Sequence, residues 1–443
     1  MLNPWLGIAI VLAIFAVLMG ALSLYRRLAR PHPEWLRKLI HMGMGMVTLA
    51  FPWLFSDAWP VLLLAGLFAA LLLSLRLLTP LRERYGGVVG DVARQSLGEI
   101  YFPLAVGLLF YSSKGDPLLY GVPMLILTFA DALSALIGVW HGRIRYTTDD
   151  GQKSVEGSAT FFTVAFLSTW IPLAVVARTG HWEIVLMASC IALLCTMIEA
   201  SAWRGLDNLF LPLAAFIMLQ TYLELTVAQM AVRLGVAATL FVFMLAWRSR
   251  TTLKDSALLG AALGLYLCWA VGGWRWLVAP LMLVGSYTFF FHHERRNTER
   301  IHDNHVVVAI ASVGLVWLWL ARILERPDFY YAFTVSFAAH LAMIGMARWK
   351  RSAPYLPPTA LGITCTLLGW LLLFGPYLLI EGFRQPALRA AALAPAGIGL
   401  AAFIFYAIQP GMNDCPNTTA RWVRQATAAA LGSAAGMLII SRS

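Results

Sequence analysis

Charged residues are scarce in this 443-residue chain and make up 12% of it, about half of the roughly 25% that is typical of soluble globular domains. Hydrophobic residues account for 60% and fall into long blocks. The first block, 4–25, has no charged residue and exceeds the roughly 20 residues with which a helix crosses a bilayer. The shortage of charge therefore excludes an ordinary soluble domain and indicates an integral membrane protein.

Cysteine is also rare, with five residues in the whole chain. They stand at positions 190, 195, 268, 365 and 415, in or beside hydrophobic blocks, and form no Cys-x-x-Cys pair. The sequence therefore predicts neither a disulfide framework nor a zinc site.

The hydrophobic blocks predict an all-α, polytopic bundle of about sixteen transmembrane helices, because a chain in lipid must satisfy its backbone hydrogen bonds internally. We interpret the first block as a retained span, since it is too long for a signal-peptide core. The predicted spans are 4–25, 38–55, 58–79, 97–113, 117–140, 157–176, 183–202, 208–224, 226–247, 255–272, 274–291, 305–324, 328–347, 356–379, 388–408 and 425–441.

The net charge of +11 is typical of proteins that bind nucleic acid, but its distribution favours another interpretation. If the loops are assigned alternately to two sides, most of the 33 basic residues fall on one side. This excess predicts that side to be cytoplasmic and both termini to lie outside. We therefore expect a multi-pass protein of the cell (inner) membrane that contacts membrane lipids and binds no nucleic acid.

Three regions follow from the distribution of motifs. Residues 1–30 are predicted to form a first anchor, 31–225 a membrane domain that carries the polar motifs, and 226–443 a second helical domain. At an offset of 207, residues 130–138 align with 337–345, and Asp131 then faces Ala338. The second domain is therefore either a degenerate repeat or a scaffold.

Basic residues mark the start of the second span, in the run Arg37-Lys38-x-x-His41. Such residues commonly anchor a helix at the lipid headgroups. Arg37 and His41 are one turn apart and share a helix face. The run therefore predicts either an anchor or a substrate-side headgroup site.

Acidic residues within spans are rarer and more informative. Asp131 lies inside a span among small residues, where an ionisable group is costly and usually functional. Glu199 ends the seventh span, and Asp207 stands at the start of the eighth. Carboxylates beside phosphates suit Mg²⁺, although Asp207 is equally well explained as a helix N-cap and Asp131 as a buried structural ion pair.

The loop before the sixth span offers groups that bind phosphate. It lacks the spacing of a Walker A loop, but it places an ammonium and hydroxyls just before a helix N-terminus, where anions bind. An ordinary capped turn would have the same composition. The residues concerned are Arg143, Arg145, Lys153, Ser154, Glu156, Gly157 and Ser158.

The order of these motifs resembles the CTP-dependent polyprenol kinase family, which includes dolichol kinase, phytol kinase and CTP-dependent diacylglycerol kinase. The matching patterns are RKxxH, D-A-x-x-A-x-x-G, K-S-x-E-G-S and E-x(7)-D-N-x-x-x-P, over about residues 35–220. The resemblance implies transfer of the γ-phosphate of CTP to a lipid alcohol at the cytoplasmic face, with Mg²⁺.

The same resemblance implies roles for individual residues. Asp131, Lys153 and Glu199 would be catalytic, and Asp131, Glu199 and Asp207 would hold the metal ion. Arg143, Arg145, Lys153, Ser154, Glu156, Gly157 and Ser158 would bind the nucleotide, and Arg37, Lys38 and His41 would face the substrate or headgroup. The acceptor alcohol (phytol, dolichol or another polyprenol, or diacylglycerol) stays open.

Two alternatives remain at this point. A phosphatidate cytidylyltransferase would also use CTP, although K-S-x-E-G-S favours a kinase over the K-S-x-K-D pattern of those enzymes. A transporter would also have many helices and buried charges. The second half of the chain more faintly resembles the phytyl-phosphate kinase family, but it has Ala338 where an acid is expected and no Lys-Ser loop after Arg351.

Overall fold

The structure is a computed structural model that describes residues 3–77, 97–176, 180–290, 302–352, 355–412, 415 and 417–442. Most of the described residues are helical, and the one sheet among them is a two-stranded hairpin. The prediction of an all-α polytopic membrane protein is confirmed. The described chain divides into two compact units, Met1–Thr239 and Leu240–Ser443.

The first unit contains eleven described α-helices, of which the last belongs to it only in part, a π-helical turn and the hairpin. They are α1 (Pro4–Ala29), α2 (Pro33–Leu49), α3 (Phe51–Leu54), α4 (Ala58–Leu77), α5 (Gly98–Ser113), α6 (Pro117–Leu125), a π-helical turn (Ile126–Ala130), α7 (Asp131–His141), β1 (Arg145–Thr148), β2 (Gly151–Ser154), α8 (Val155–Val176), α9 (His181–Ser201), α10 (Asp207–Tyr222) and the start of α11 (Val227–Ala246).

The second unit holds the end of α11 and the remaining elements. They are a 3₁₀ turn (Trp247–Arg250), α12 (Asp255–Gly272), α13 (Trp274–Phe290), α14 (Asn304–Ile323), α15 (Phe329–Ser352), α16 (Pro358–Glu381), α17 (Gln385–Ile408) and α18 (Thr419–Arg442).

Twelve membrane-span candidates are present in the described part of the chain, where α6, the π turn and α7 form one continuous candidate, Pro117–His141. The other four predicted spans correspond to α2, α5, α10 and α13, which have 16 or 17 residues. A helix of that length extends about 24–26 Å at 1.5 Å per residue, which is shorter than the roughly 30 Å hydrocarbon core. Their described lengths are nevertheless within one residue of the predicted spans, which are 17 or 18 residues long, and α13 ends at the last described residue before 291.

The hairpin is the element that the sequence did not predict, because its residues were interpreted as a loop. Arg145 pairs with Ser154 and Thr148 with Gly151, in antiparallel register. Tyr and Thr favour strands, and Gly151 has a positive φ of 131° at the turn, a conformation that glycine adopts without strain. The hairpin leads directly into α8.

In the second unit, α15 is the central helix. All of its most apolar 18-residue window is buried, and α14, α16, α17 and α18 pack around it. A helix that is apolar on all sides is normally buried in this way. The polar residues that α15 does carry are therefore enclosed by protein rather than by lipid.

Candidate active site

Asp131, the intramembrane acid, forms a buried ion pair with Lys38. The Nζ of Lys38 lies 2.7 Å from Asp131 Oδ2 and also donates a hydrogen bond to the Asp131 backbone carbonyl at 3.2 Å. Lys38 is 2% exposed and Asp131 9% exposed. Lys38 is therefore not a headgroup anchor in this structure, because its ammonium points into the helix bundle and neutralises the buried acid.

His41 joins this pair from the next turn of α2. Its Nε2 lies 2.9 Å from the carbonyl oxygen of Leu127 and 3.4 Å from Asp131 Oδ2. A carbonyl can only accept a hydrogen bond, so Nε2 carries the proton. Leu127 belongs to the π-helical turn immediately before Asp131, and such turns are frequent at functional sites.

A second ion pair links the hairpin to α9. The Nζ of Lys153 lies 2.7 Å from Glu199 Oε1 and also donates a hydrogen bond to the Glu199 backbone carbonyl. Burial lowers the pKa of Lys153, but the negative charges of Glu199 and Asp207 outweigh this effect and leave the pKa raised. Lys153 is therefore a firmly protonated cation at neutral pH.

The tip of the hairpin is fixed to the connection between α9 and α10. The carboxylate of Asp150 accepts a hydrogen bond from the backbone N–H of Arg204 at 2.6 Å. The hydroxyls of Tyr146 and Ser158 are 2.8 Å apart and join β1 to the first turn of α8. These contacts fix the strand that presents Lys153 to Glu199.

The start of α8 is shaped by Ser154, Glu156 and Gly157. Ser154 Oγ accepts the N–H of Gly157 at 3.1 Å, and the Glu156 carboxylate accepts the N–H of Ile144 at 3.1 and 3.3 Å. A Cβ on Gly157 would lie 2.9 Å from the Ser134 carbonyl oxygen and 3.3 Å from Gly138 Cα. Glycine is therefore required for the close approach of α8 to α7.

One cavity of about 1000 Å³ contains both ion pairs in its wall. The polar part of the wall comes from α2, α7, the hairpin, α8, α9 and α10, while much of the apolar part comes from α1, α4 and α5. The predicted site residues that line it are Arg37, Lys38, His41, Asp131, Arg145, Lys153, Ser154, Gly157, Ser158, Glu199 and Asp207. A ligand in this cavity can contact charged and apolar groups at once.

Two predicted nucleotide-binding residues lie elsewhere. Arg143 and Glu156 are absent from the cavity wall, and Arg143 is exposed. Glu156 instead holds the backbone of Ile144, as described above.

The three predicted metal ligands line the cavity together but do not converge. Among the residues that the structure describes, the carboxylate oxygens of Asp131, Glu199 and Asp207 do not all lie within 4.8 Å of one another. Two of the three carboxylates are also paired with lysines. The set therefore fits a divalent ion that is held by one or two carboxylates and completed by phosphate oxygens, and not a cage made of protein ligands alone.

The structure adds cavity residues to which the sequence analysis assigned no role, although Gly138 is the last residue of the D-A-x-x-A-x-x-G pattern. Gly138, Ser134 and Arg204 line the cavity, as do Asp150 and Glu99. The spacing Gly138-x-x-x-Gly142 is a recognisable signal of close helix packing in membranes. The other four carry no comparable signal: Asp150 and Arg204 depend on how the hairpin and the α9–α10 connection fold, and Ser134 and Glu99 depend on how α7 and α5 pack.

The fold and site define this protein as a polytopic helical membrane protein with a charged cavity that continues into an apolar one. The phytol kinase of Synechocystis sp. (strain ATCC 27184 / PCC 6803 / Kazusa) is 31% identical over 214 residues, which are 48% of this chain and 89% of that protein. The chain therefore belongs to the polyprenol/phytol kinase family. No family model and no solved structure matches it.

Proposed function

We propose that this chain is a membrane kinase that transfers the γ-phosphate of CTP to the hydroxyl of a lipid alcohol, with an isoprenoid alcohol of the phytol type as the first candidate. The observation that carries the proposal is the single cavity in which the two ion pairs meet an apolar wall. Membership of the polyprenol/phytol kinase family supports the same reaction class.

The charged part of the cavity is suited to the nucleotide phosphates. Lys153 supplies a cation, and Ser158 and Arg145 line the same wall. In this proposal the ammonium of Lys153 turns from Glu199 towards the phosphates when the nucleotide binds. Positioning and neutralisation of charge supply most of the rate of phosphoryl transfer, so Lys153 is expected to be the most sensitive of these groups. We assign Glu156 to holding the loop instead.

Mg²⁺ fits the carboxylates of the cavity. Asp131, Glu199 and Asp207 offer the hard oxygen ligands that this ion prefers, and nucleotide phosphates complete its coordination. When bound, the ion neutralises charge on the transferring phosphoryl group. Glu199 becomes available as its ion pair with Lys153 opens, so metal and nucleotide are expected to bind together.

Asp131 is the group that we assign to the acceptor hydroxyl. The alcohol oxygen forms the new bond to the γ-phosphorus, the bond from the γ-phosphorus to the bridging oxygen breaks, and CDP leaves. The hydroxyl proton passes to the Asp131 carboxylate, whose position is fixed by Lys38 and His41. Because the transition state is loose, orientation of the hydroxyl matters more than a strong base.

The apolar part of the cavity is suited to the lipid tail. Phe15 and Met19 of α1 and Phe68 and Leu72 of α4 belong to its wall. Apolar side chains leave the tail in surroundings as apolar as the lipid from which it comes, so entry into the cavity exposes no hydrocarbon to water. The hydroxyl of a bound alcohol would then face the polar helices, α2 and α7.

The proposal is tested with membranes that contain the protein, [γ-³²P]CTP, Mg²⁺ and a panel of phytol, geranylgeraniol, a polyprenol and diacylglycerol. We expect label in the organic phase, most strongly with an isoprenoid alcohol, and none with Asp131→Asn. A parallel reaction with [γ-³²P]ATP tests the donor. Inside-out and right-side-out vesicles test the cytoplasmic face, because only the side that contains the site will use added nucleotide.

A lack of labelled lipid with every donor and acceptor would refute the kinase. Repeating the assay with [α-³²P]CTP and phosphatidate then identifies a cytidylyltransferase, since that reaction leaves the α-phosphate of CTP in the lipid product.

A further inference from the structure

Three arginines of the second unit gather at one end of its helix bundle. Arg348 and Arg351 lie in the last turns of α15, and Arg421 lies in the first turn of α18. Arg351 Nη2 donates a hydrogen bond to the Cys415 carbonyl at 3.2 Å, and the charges of all three arginines act on the imidazole of His302, whose pKa they help to lower. We call Arg348, Arg351 and Arg421 the arginine cluster. All three belong to the second unit, and none of them lines the cavity that contains Asp131 and Lys153.

Arg421 is the most unusual member of the cluster. It is 7% exposed, and its guanidinium stacks on the Trp422 ring at 4.1 Å. Within the described residues, its buried Nε has no hydrogen-bond partner. A buried guanidinium is costly unless its donors are satisfied. Topology alone does not explain this position, because an arginine that only sets orientation can lie exposed, as Arg27 of α1 does.

Polar side chains next to the cluster are joined to one another by hydrogen bonds. Arg348 Nη1 donates to the Tyr287 hydroxyl at 3.2 Å. Thr252 Oγ1 lies 2.9 Å from the same hydroxyl and 2.8 Å from His302 Nδ1. Burial, with the charges of Arg421 and Arg348, lowers the pKa of His302 to about 4. His302 is therefore neutral at pH 7 and able to accept or donate a hydrogen bond.

Helix N-termini add further positive potential at this end. The segment before α12 and the segment before α14 are joined by hydrogen bonds between Lys254 N–H and His302 O at 2.8 Å and between His302 N–H and Thr252 O at 3.2 Å. The His302 ring contacts Trp422 in the first turn of α18. Three helices thus begin around the cluster, and helix N-termini attract anions.

Unsatisfied polar atoms continue from the cluster towards the middle of the unit. Gln425 is one turn after Arg421 on α18 and lies 3.2 Å from His340 Nδ1 on α15. Within the described residues, His340 Nε2 and Gln425 Oε1 have no hydrogen-bond partner, and both side chains are fully buried. Buried groups of this kind normally have partners, so both atoms are still able to form a hydrogen bond.

We propose that the arginine cluster is a second ligand site of this chain, which binds the phosphate group of an anionic ligand. Arg351 is exposed, Arg348 is half-buried and Arg421 is buried, so the cluster has a member in contact with solvent. Guanidinium groups match phosphate oxygens with paired hydrogen bonds. The phosphate belongs either to a lipid headgroup or to a soluble anion, and the experiment below separates the two.

The test uses the full chain in phosphatidylcholine nanodiscs and measures binding of [³²P]pyrophosphate. All variants of the cluster are made in a Lys153→Gln chain, which lacks the cation assigned to nucleotide phosphates in the first unit. The wild-type chain is measured in parallel. We expect saturable binding that Arg421→Gln weakens by about tenfold or more, since a lost charged hydrogen bond has that effect. Arg421→Lys keeps the positive charge, so its affinity for pyrophosphate is expected to fall less than that of Arg421→Gln.

Arg389→Gln is the matched control, because it removes an exposed arginine from the same unit and is expected to leave binding unchanged. If Arg421→Gln does not fold, Arg351→Gln replaces it, since an exposed side chain is removed with little effect on folding. The proposal is overturned if the Lys153→Gln chain does not bind pyrophosphate, or if the cluster variants bind as well as Arg389→Gln does.

A second arm identifies the source of the phosphate. Nanodiscs that also contain phosphatidate present the same chemical group on a lipid. Competition by phosphatidate with bound pyrophosphate would assign the site to a headgroup, and undiminished binding would assign it to a soluble anion. Either result is independent of kinase activity, so failure of the proposed function and failure of this second site are distinguishable.

Discussion

Lys38 and Asp131 are 93 positions apart in the chain, and their charged atoms meet at 2.7 Å inside the first unit. The contact joins α2 to α7 and places both residues in the wall of the same cavity. The pair therefore contributes to stability, because it neutralises a buried charge, and it fixes the position of the carboxylate that we assign to the acceptor hydroxyl. Different experiments measure the two effects.

Removal of Lys38 alone is expected to destabilise the protein. Lys38→Met leaves the Asp131 carboxylate buried without its cation, and breaking such a pair costs about 3–5 kcal/mol. The double variant Lys38→Met/Asp131→Leu is expected to recover most of that stability, because neither charge is then buried. Reversible denaturant unfolding of the purified protein in detergent measures the change.

Arg37→Met is the matched control for this pair, since the neighbouring Arg37 is partly exposed and pairs with Glu34. An exposed ion pair is worth about 0–1 kcal/mol. Equal losses for Lys38→Met and Arg37→Met would contradict a structural role for the buried pair.

Lys153→Met is expected to lower kcat/KM for lipid phosphorylation by about 10²–10³-fold, as loss of one preorganised electrostatic group commonly does. The KM for CTP should rise as well, because the cation assigned to its phosphates is lost. Steady-state kinetics with labelled CTP measure both parameters. Arg143→Met, which removes an exposed cation outside the cavity wall, should change them little, and similar effects for the two variants would argue against the site as assigned.

Gly157→Ala is expected to destabilise the first unit by about 1–3 kcal/mol, the usual cost of overpacking. The new methyl group would contact the Ser134 carbonyl and Gly138 backbone atoms, which cannot move independently of α7. Gly121→Ala serves as control, because nothing lies within 4 Å of the added Cβ there. Thermal unfolding compares the two, and equal midpoints would show that α7 and α8 do not need this close contact.

The pH dependence of stability should carry a contribution from His302. Its pKa is about 4 in the folded protein, below the ordinary 6.5, first because of burial and then because of Arg421 and Arg348. Above pH 6.5 the imidazole is neutral in both the folded and the unfolded protein, so His302 does not change the free energy of unfolding there. As the pH falls from about 6.5 to about 4, the unfolded state takes up the proton first, and stability falls by up to about 3 kcal/mol.

His302→Gln should remove this contribution, whereas His181→Gln, at an exposed position of α9, should not. Unfolding free energies of the three proteins between pH 7 and pH 4.5 measure the difference. An unchanged pH slope in His302→Gln would contradict the assignment.

Hydropathy was sufficient to predict the fold class and the approximate positions of the helices, because each span must be apolar over a bilayer's width whatever its neighbours are. The same logic identified Asp131 and Glu199, since an acid within an apolar block is conspicuous in the sequence alone. The start of α2 was not predicted: the span was expected from residue 38, but the helix begins at Pro33, because the polar run 34–38 is helical although it is not apolar.

Only the tertiary structure decided which charges meet. The sequence left Lys38 as an anchor or headgroup residue, and nothing local indicates its pairing with Asp131, since ion pairs between distant helices depend on packing. The hairpin likewise determines that Lys153 points to Glu199 and that Glu156 turns away to hold Ile144. The sequence by itself thus determined that the protein lies in the membrane and which of its residues are able to carry charge there, because those properties depend on side-chain chemistry. Their partners depend on contacts between residues far apart in the chain, which only the folded bundle brings together.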